Sequence, residues 1–415
     1  MEIVKGVNLH LIKNESLKTV QVKCRFSGYL DKKNVARRVL VAQMLETASK
    51  AYPTNRDLRK KLASLYGASL STNVVTKGYT HCVDIDASVI SDAYSFESQS
   101  LLEELLEVFK EILFNPLITT EQYQPASFEL EKQNIMAAID TEKEDLFHLA
   151  DQELKRQFFD DSCQALSTLT TKELLNKENS FTAYQEFQRM LQHDQIDIFI
   201  VGDFDDYNVI KALHQFPFKE RQLDLSLIYK QDYTNVISEY LEIKDSKQSV
   251  LTIGYHMPFT YGDKGLASVA VYNALLGELP TSKLFVNVRE KKGLAYAIGS
   301  HYDSFSQLFT IYAGIQKVNK SLALRLILKQ TKELRLGKFT NTEIEQAKVV
   351  LKNQLLAAQD YPKQAIELAY HGHYFNRDNS IDNLLTEIDN VSKESIVDVA
   401  KRLKLQAVYT LEGSA

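Results

Sequence analysis

Tryptophan is absent from the 415 residues, cysteine occurs three times, proline seven times and glycine fifteen. So little proline and glycine excludes a collagenous or low-complexity chain, and 44% hydrophobic with 25% charged residues is the composition of a folded protein. Cys24, Cys82 and Cys163 are far apart and odd in number, which fits neither a disulfide framework nor a cysteine zinc site. They suit a reducing cytosol. No run approaches the ~18 apolar residues that span a bilayer, and the most apolar helical stretch, Gly265 to Gly277, reads as a buried helix. The first residues lack the basic and apolar regions of a signal peptide. Lys plus Arg total 49 against 54 Asp plus Glu, a net charge of −5, so no global positive field attracts a phosphate backbone. A cytoplasmic chain with no nucleic-acid or membrane partner is expected, long enough for two or three domains of roughly 150 residues each.

Familiar catalytic signatures are missing too. The sequence contains no His-Glu-x-x-His, no His-x-x-Glu-His, no Gly-x-Ser-x-Gly and no Cys-x-x-Cys. Of nine histidines only His371 and His373 are close in sequence. On a helix they stand ~200° apart and point to opposite sides, so ordinary surface or packing roles are expected for them.

What is present is a duplication. A shift of 226 residues lays Leu58–Asp86 on Leu284–Tyr312 without a gap, Gly67 meeting Gly293. Each copy reads as an apolar helix, a glycine turn and two alternating strands, over 69–75 and 80–87 in the first and 294–302 and 306–315 in the second. A shift of 222 lays the helix Ser100–Phe114, with leucines on one face, on Leu322–Leu336. Thr119 to Gln122 and Thr342 to Glu345 both have capping-box spacing for a following helix. Each half closes on a helix and a strand, ending at Asp203 and Gly413. The polar stretch 219–237 reads as a linker between domains at 1–218 and 238–415. The expected class is α+β: two similar domains, each an antiparallel-rich sheet with helices on one face.

The segment from Ser282 to Tyr296 runs from a helix through a glycine turn into a strand, with Arg289 near the helix end and Tyr296 in the strand. Taken alone, such an Arg is a dipole partner and such a Tyr a packing residue. Together with the duplication, the Val-Gly-Asp that closes the first half and the Leu-Glu-Gly that closes the second, the segment resembles the Arg/Tyr motif of M16 metallopeptidases, the insulinase and mitochondrial processing peptidase family. That resemblance implies two LuxS/MPP-like metallohydrolase domains. It also implies a zinc site on the first long helix, where active members carry His-x-x-Glu-His.

In this chain the corresponding run is Gln43-Met44-Leu45-Glu46-Thr47: the Glu is kept and both histidines are gone. The family's third ligand lies seven residues after a helpful Glu; Glu131 matches the latter, and the ligand position holds Ala138. Glu142, one turn further, cannot hold zinc alone. Leu65-Tyr66-Gly67-Ala68, Ala51-Tyr52-Pro53-Thr54 and the run from Ser282 to Glu290 resemble the non-zinc member of the paired small M16 proteins of Gram-positive bacteria, a group associated with 5-aminopentanol modification of elongation factor P. The resemblance thus implies no cofactor in this chain, zinc in a His-x-x-Glu-His-bearing partner of a heterodimer, and an extended peptide or protein substrate. Arg289 and Tyr296 would bind the substrate carbonyl and the developing oxyanion. The alternative is a non-enzymatic scaffold or peptide-binding protein on the same fold.

Overall fold

The computed structural model describes residues 1–96 and 100–414. In chain order the strands are β1 (Glu2–Val4), β2 (Val7–Lys13), β3 (Thr19–Tyr29), β4 (Ser69–Lys77), β5 (Thr80–Ile90), β6 (Ile118–Thr119), β7 (Gln122–Tyr123), β8 (Gln195–Gly202), β9 (Ser238–Lys244), β10 (Ser249–His256), β11 (Ala295–Asp303), β12 (Leu308–Ile315) and β13 (Lys404–Gly413). The helices are α1 (Val35–Leu45), α2 (Asn55–Ser64), α3 (Leu101–Phe114), α4 (Pro125–Glu142), α5 (Leu146–Phe158), α6 (Lys172–Asn176), α7 (Ser180–His193), α8 (Asp206–Leu213), α9 (Leu266–Asn273), α10 (Lys320–Arg335), α11 (Asn341–Ala357), α12 (Pro362–Phe375), α13 (Ile381–Asp389) and α14 (Lys393–Arg402).

The fold is α+β. One sheet has the order β1-β2-β8-β3-β5-β4, the other β11-β12-β10-β13-β9. Reversed, the second repeats five strands of the first in the same places, including the one parallel pair, β2 with β8 in the first and β9 with β13 in the second. The first sheet has one strand more: β1 turns back at Gly6 to cover the edge of β2. The duplication extends to single hydrogen bonds. The Gly67 and Ala68 N–H groups donate to the carbonyls of Ala63 and Leu62, and those of Gly293 and Leu294 donate to Arg289 and Val288. Both glycines have positive φ, +78° and +61°, a conformation that closes a helix at no side-chain cost.

The compact units are not contiguous in sequence. Unit 1 comprises 1–140, 166–227 and 360–370; unit 2 comprises 141–165, 228–359 and 371–415. α5, from the first half, packs on β10 and β13 of the second sheet, where Leu154 and Ala150 join Val250, Ala407, Tyr409 and Leu411. The first turns of α12, from the second half, belong to unit 1, where the Arg25 guanidinium lies over the Tyr370 ring at 4.4 Å. Each unit is closed by the equivalent helix of the other half. From about 217 to 237 the chain has no regular secondary structure, yet Arg221, Leu227 and Tyr229 are buried.

The expected helix at Ser100–Phe114 forms with Ser100 as its cap, and its leucine face is buried. Two caps differ from expectation. Thr119 to Gln122 caps nothing: Thr120 and Glu121 take positive φ in the turn between β6 and β7. Helix α4 instead starts at Pro125, whose fixed φ suits the first turn while disfavouring helix in the residue before it. In the second half the box is made by Thr340 and Glu343, two residues before the expected pair. No described helix is long and apolar enough to cross a membrane.

Candidate functional site

Helix α1 ends at Leu45, so the run from Gln43 to Thr47 straddles a helix terminus, with Glu46 as its cap residue. The Thr47 hydroxyl donates to the Gln43 carbonyl at 2.8 Å. The Gln43 amide donates to Glu131 Oε2 at 3.1 Å and to Glu46 Oε1 at 3.4 Å. Glu131 also accepts from Asn134, and Glu46 from the backbone N–H of Thr72 at 3.0 Å. Burial raises the Glu46 carboxyl, against the pull of the Thr72 N–H. Four of the five expected positions therefore meet. Ala138 does not join them: α4 buries Phe128, Glu131, Ile135 and Ile139, and Ala138 faces solvent. Glu142 belongs to unit 2 and lies 3.5 Å from His148.

This donor set does not fit the zinc implied by the resemblance. An amide bridges the two carboxylates, the hydroxyl is turned to its own backbone, and no imidazole is present at either histidine position. Among the described residues no group of three or more His, Cys, Asp or Glu is placed to hold a metal ion.

The other two predicted residues lie in unit 2. A π-helical turn, Phe285–Glu290, carries Arg289, half-exposed, its guanidinium 4.6 Å from the Phe285 ring centroid and its Nε 3.7 Å from Glu290. Tyr296 stands on β11, the edge strand of the second sheet, and is 43% exposed. Its ring lies over Gly314: a Cβ there would come within 2.3 Å of it. Tyr312 covers Gly299 in the same way, and Phe147 of α5 meets both rings edge-on at about 6 Å. The Tyr296 hydroxyl donates to Gln248 Oε1 at 2.7 Å. Burial and the nearby Asp145 charge raise the phenol, which keeps it protonated and a donor at neutral pH.

Sequence reasoning missed Gln248, Phe147 and Gly314. The glycine carries the one local signal, because a glycine in mid-strand marks close approach of another group. At the equivalent places of unit 1 stand an exposed Ala63 and a buried Leu70. The same turn and strand carry polar chemistry in unit 2 alone.

Residues 184–351 match the profile of the Peptidase M16 inactive domain family. A relative from Bacillus subtilis (strain 168), "Probable inactive metalloprotease YmfF", is 29% identical over 411 residues, covering 99% of this chain and 96% of its own. The chain is a homologue of that probable inactive metalloprotease, with the M16 match confined to residues 184–351. The crystal structure of a conserved protein from Enterococcus faecalis V583 superposes on this homologue with a TM-score of 0.94 at 35% identity, over 100% of this chain and 98% of that one. A peptidase M16 inactive domain from Pseudomonas fluorescens shares the fold, with a TM-score of 0.81 at 16% identity over 100% and 98% of the two chains.

Proposed function

We propose that this M16 homologue is the non-zinc subunit of a two-chain metalloendopeptidase in the cytosol, where its three free thiols are at home. Its partner is an M16 relative carrying His-x-x-Glu-His, and its substrate is an extended peptide or protein segment. Zinc in that partner supplies the Lewis acid and the activated water. The contribution of this chain is to bind and orient. As the attacked carbonyl gains charge, the guanidinium donates to it, and so does the phenol once its one proton turns from Gln248 Oε1 to the substrate oxygen. The observation carrying this reading is the Tyr296 hydroxyl. It is solvent-facing, kept protonated and seated on glycine, at a place where unit 1 needs only a buried leucine.

The test is kinetic. The purified chain is mixed with its zinc-bearing relative and hydrolysis of a peptide library is followed; indole emission then reports the partner alone, since this chain has no Trp. Activity is expected on mixing. Tyr296→Phe, which removes one donor, lowers kcat by about 10²–10³ more than it raises KM. Arg289→Lys also fails, because an ammonium cannot reproduce the planar fork. Wild-type turnover by both variants in an assembled pair would overturn the catalytic role and leave a scaffold.

A further inference from the structure

Unit 2 carries a groove with chemistry of its own. It has a volume of about 710 Å³ and opens between the segment 233–237, the last turns of α10, the end of α14 and the start of β13. That volume lies within the ~300–1,000 Å³ of small-molecule sites. Neither Arg289 nor Tyr296 lines it. Leu328, Leu403 and Leu405 give it apolar walls, and its charged lining consists of Lys332, Arg335 and Lys404 without a carboxylate.

Lys332 and Arg335 stand in the last turn of α10, where cations ordinarily offset the helix dipole. Lys404 comes from β13 and has no such duty; its ammonium lies 5.7 Å from the Tyr233 ring centroid. Among the described residues none of the three is ion-paired. Tyr255, 4% exposed, forms the floor of the groove beside Thr331, whose hydroxyl donates to the Leu328 carbonyl at 2.9 Å and can accept from the phenol.

We infer that this groove binds an amphipathic carboxylate, an organic acid with an aliphatic or aromatic body. The carboxylate sits among Lys332, Arg335 and Lys404, and the body lies against the leucines. A free carboxylic acid and the C-terminus of an apolar peptide share this chemistry. The inference does not depend on the peptidase reading.

The full chain is titrated calorimetrically with octanoate, 1-octanol and octylamine, and with a short peptide ending in Leu-Leu as free acid and as amide. Octanoate is expected to bind at least about tenfold more tightly than 1-octanol, and octylamine not at all. Lys332→Ala, Arg335→Ala and Lys404→Ala each weaken octanoate by about tenfold, while thermal unfolding without ligand stays at the wild-type temperature. Binding of the free-acid peptide that is lost on amidation assigns the site to a peptide end; octanoate binding without peptide binding assigns it to a free acid. Octanoate binding no better than 1-octanol, undiminished in the triple variant, or absent, overturns the inference.

Discussion

Where β3 meets β5, unit 1 places Arg25 opposite Asp84; at the same register between β10 and β12, unit 2 places Gly254 opposite Thr310. The closing helices match. Arg25 donates twice to Asp84, at 2.7 Å each, and twice to Glu367 of α12, at 2.5 and 3.3 Å, while Lys23 donates to Asp84 and Lys77 pairs with Glu367 at 3.0 Å. Over Gly254 lie Leu154 and Phe158 of α5, within 3.2–3.5 Å of where a Cβ would stand. One sheet is closed by charge and the other by apolar contact. The difference teaches how a duplicated chain keeps two similar helices apart. With α5 on the first sheet, Arg25 would lose the Glu367 carboxylate. With α12 on the second, Glu367 would be buried without a cation, a placement that costs several kcal/mol.

The largest way to break this contrast is Asp84→Ala. It leaves Arg25 and Lys23 buried without their shared carboxylate, so a loss of about 3–5 kcal/mol is expected in urea unfolding at neutral pH. Leu154→Ala, its apolar counterpart, costs ~2–5 kcal/mol through the cavity it opens, and this loss does not vary with pH. A loss under about 1 kcal/mol for Asp84→Ala would show that the ionic closure is dispensable.

Acid sharpens the comparison. Burial alone would raise the Asp84 and Glu367 carboxyls, but Arg25 with Lys23 and Arg25 with Lys77 hold them below the usual carboxylate range, Glu367 far below it. Since the folded values lie under the unfolded ones near 4, their stabilisation is full above about pH 4 and drains as the pH falls. Hydrogen exchange corrected for intrinsic rates should show α12 losing protection between pH 5 and 3 by about tenfold, ~1.4 kcal/mol, while α5 keeps its own. Equal loss in both helices would refute the charge-based closure. The smallest effect is expected from Lys77→Met, which leaves Arg25 to neutralise Glu367 and costs ~1 kcal/mol or less in the same urea measurement.

The strand pairs, the glycine turns and the leucine face of α3 are local patterns, and they were legible in the sequence. The residue types at Gln43, Thr47 and Ala138 could be read at once, but not that Ala138 faces solvent. The exchange of α5 and α12 was not legible, because helical periodicity shows that a face is apolar without showing which sheet it meets. A trace was available in the charges: Lys23 and Arg25 alternate on one strand, Asp84 and Asp86 on another, and such pairs oppose one another across neighbouring strands. The bed of Tyr296 depends on Gln248 and Phe147, 48 and 149 residues away in sequence, and spacing carries no record of it.

The exchange of helices also sets a timetable for the ribosome. Translation at about 5–20 residues per second needs roughly 8–30 s to carry the chain from Phe218 to Tyr370. For that time Arg25 has Asp84 but lacks the Glu367 carboxylate, and the sheet face that α12 will cover stays open to water. Meanwhile α5, already synthesised, shows Leu154 and Phe158 to anything that will bind them until β10 and β13 emerge. A nascent chain in this state is a client for a holding chaperone. A polypeptide released early, with its stop codon in the 219–237 stretch, carries one helix it cannot bury and lacks another it needs. Proteolytic clearance is the expected fate of such a fragment.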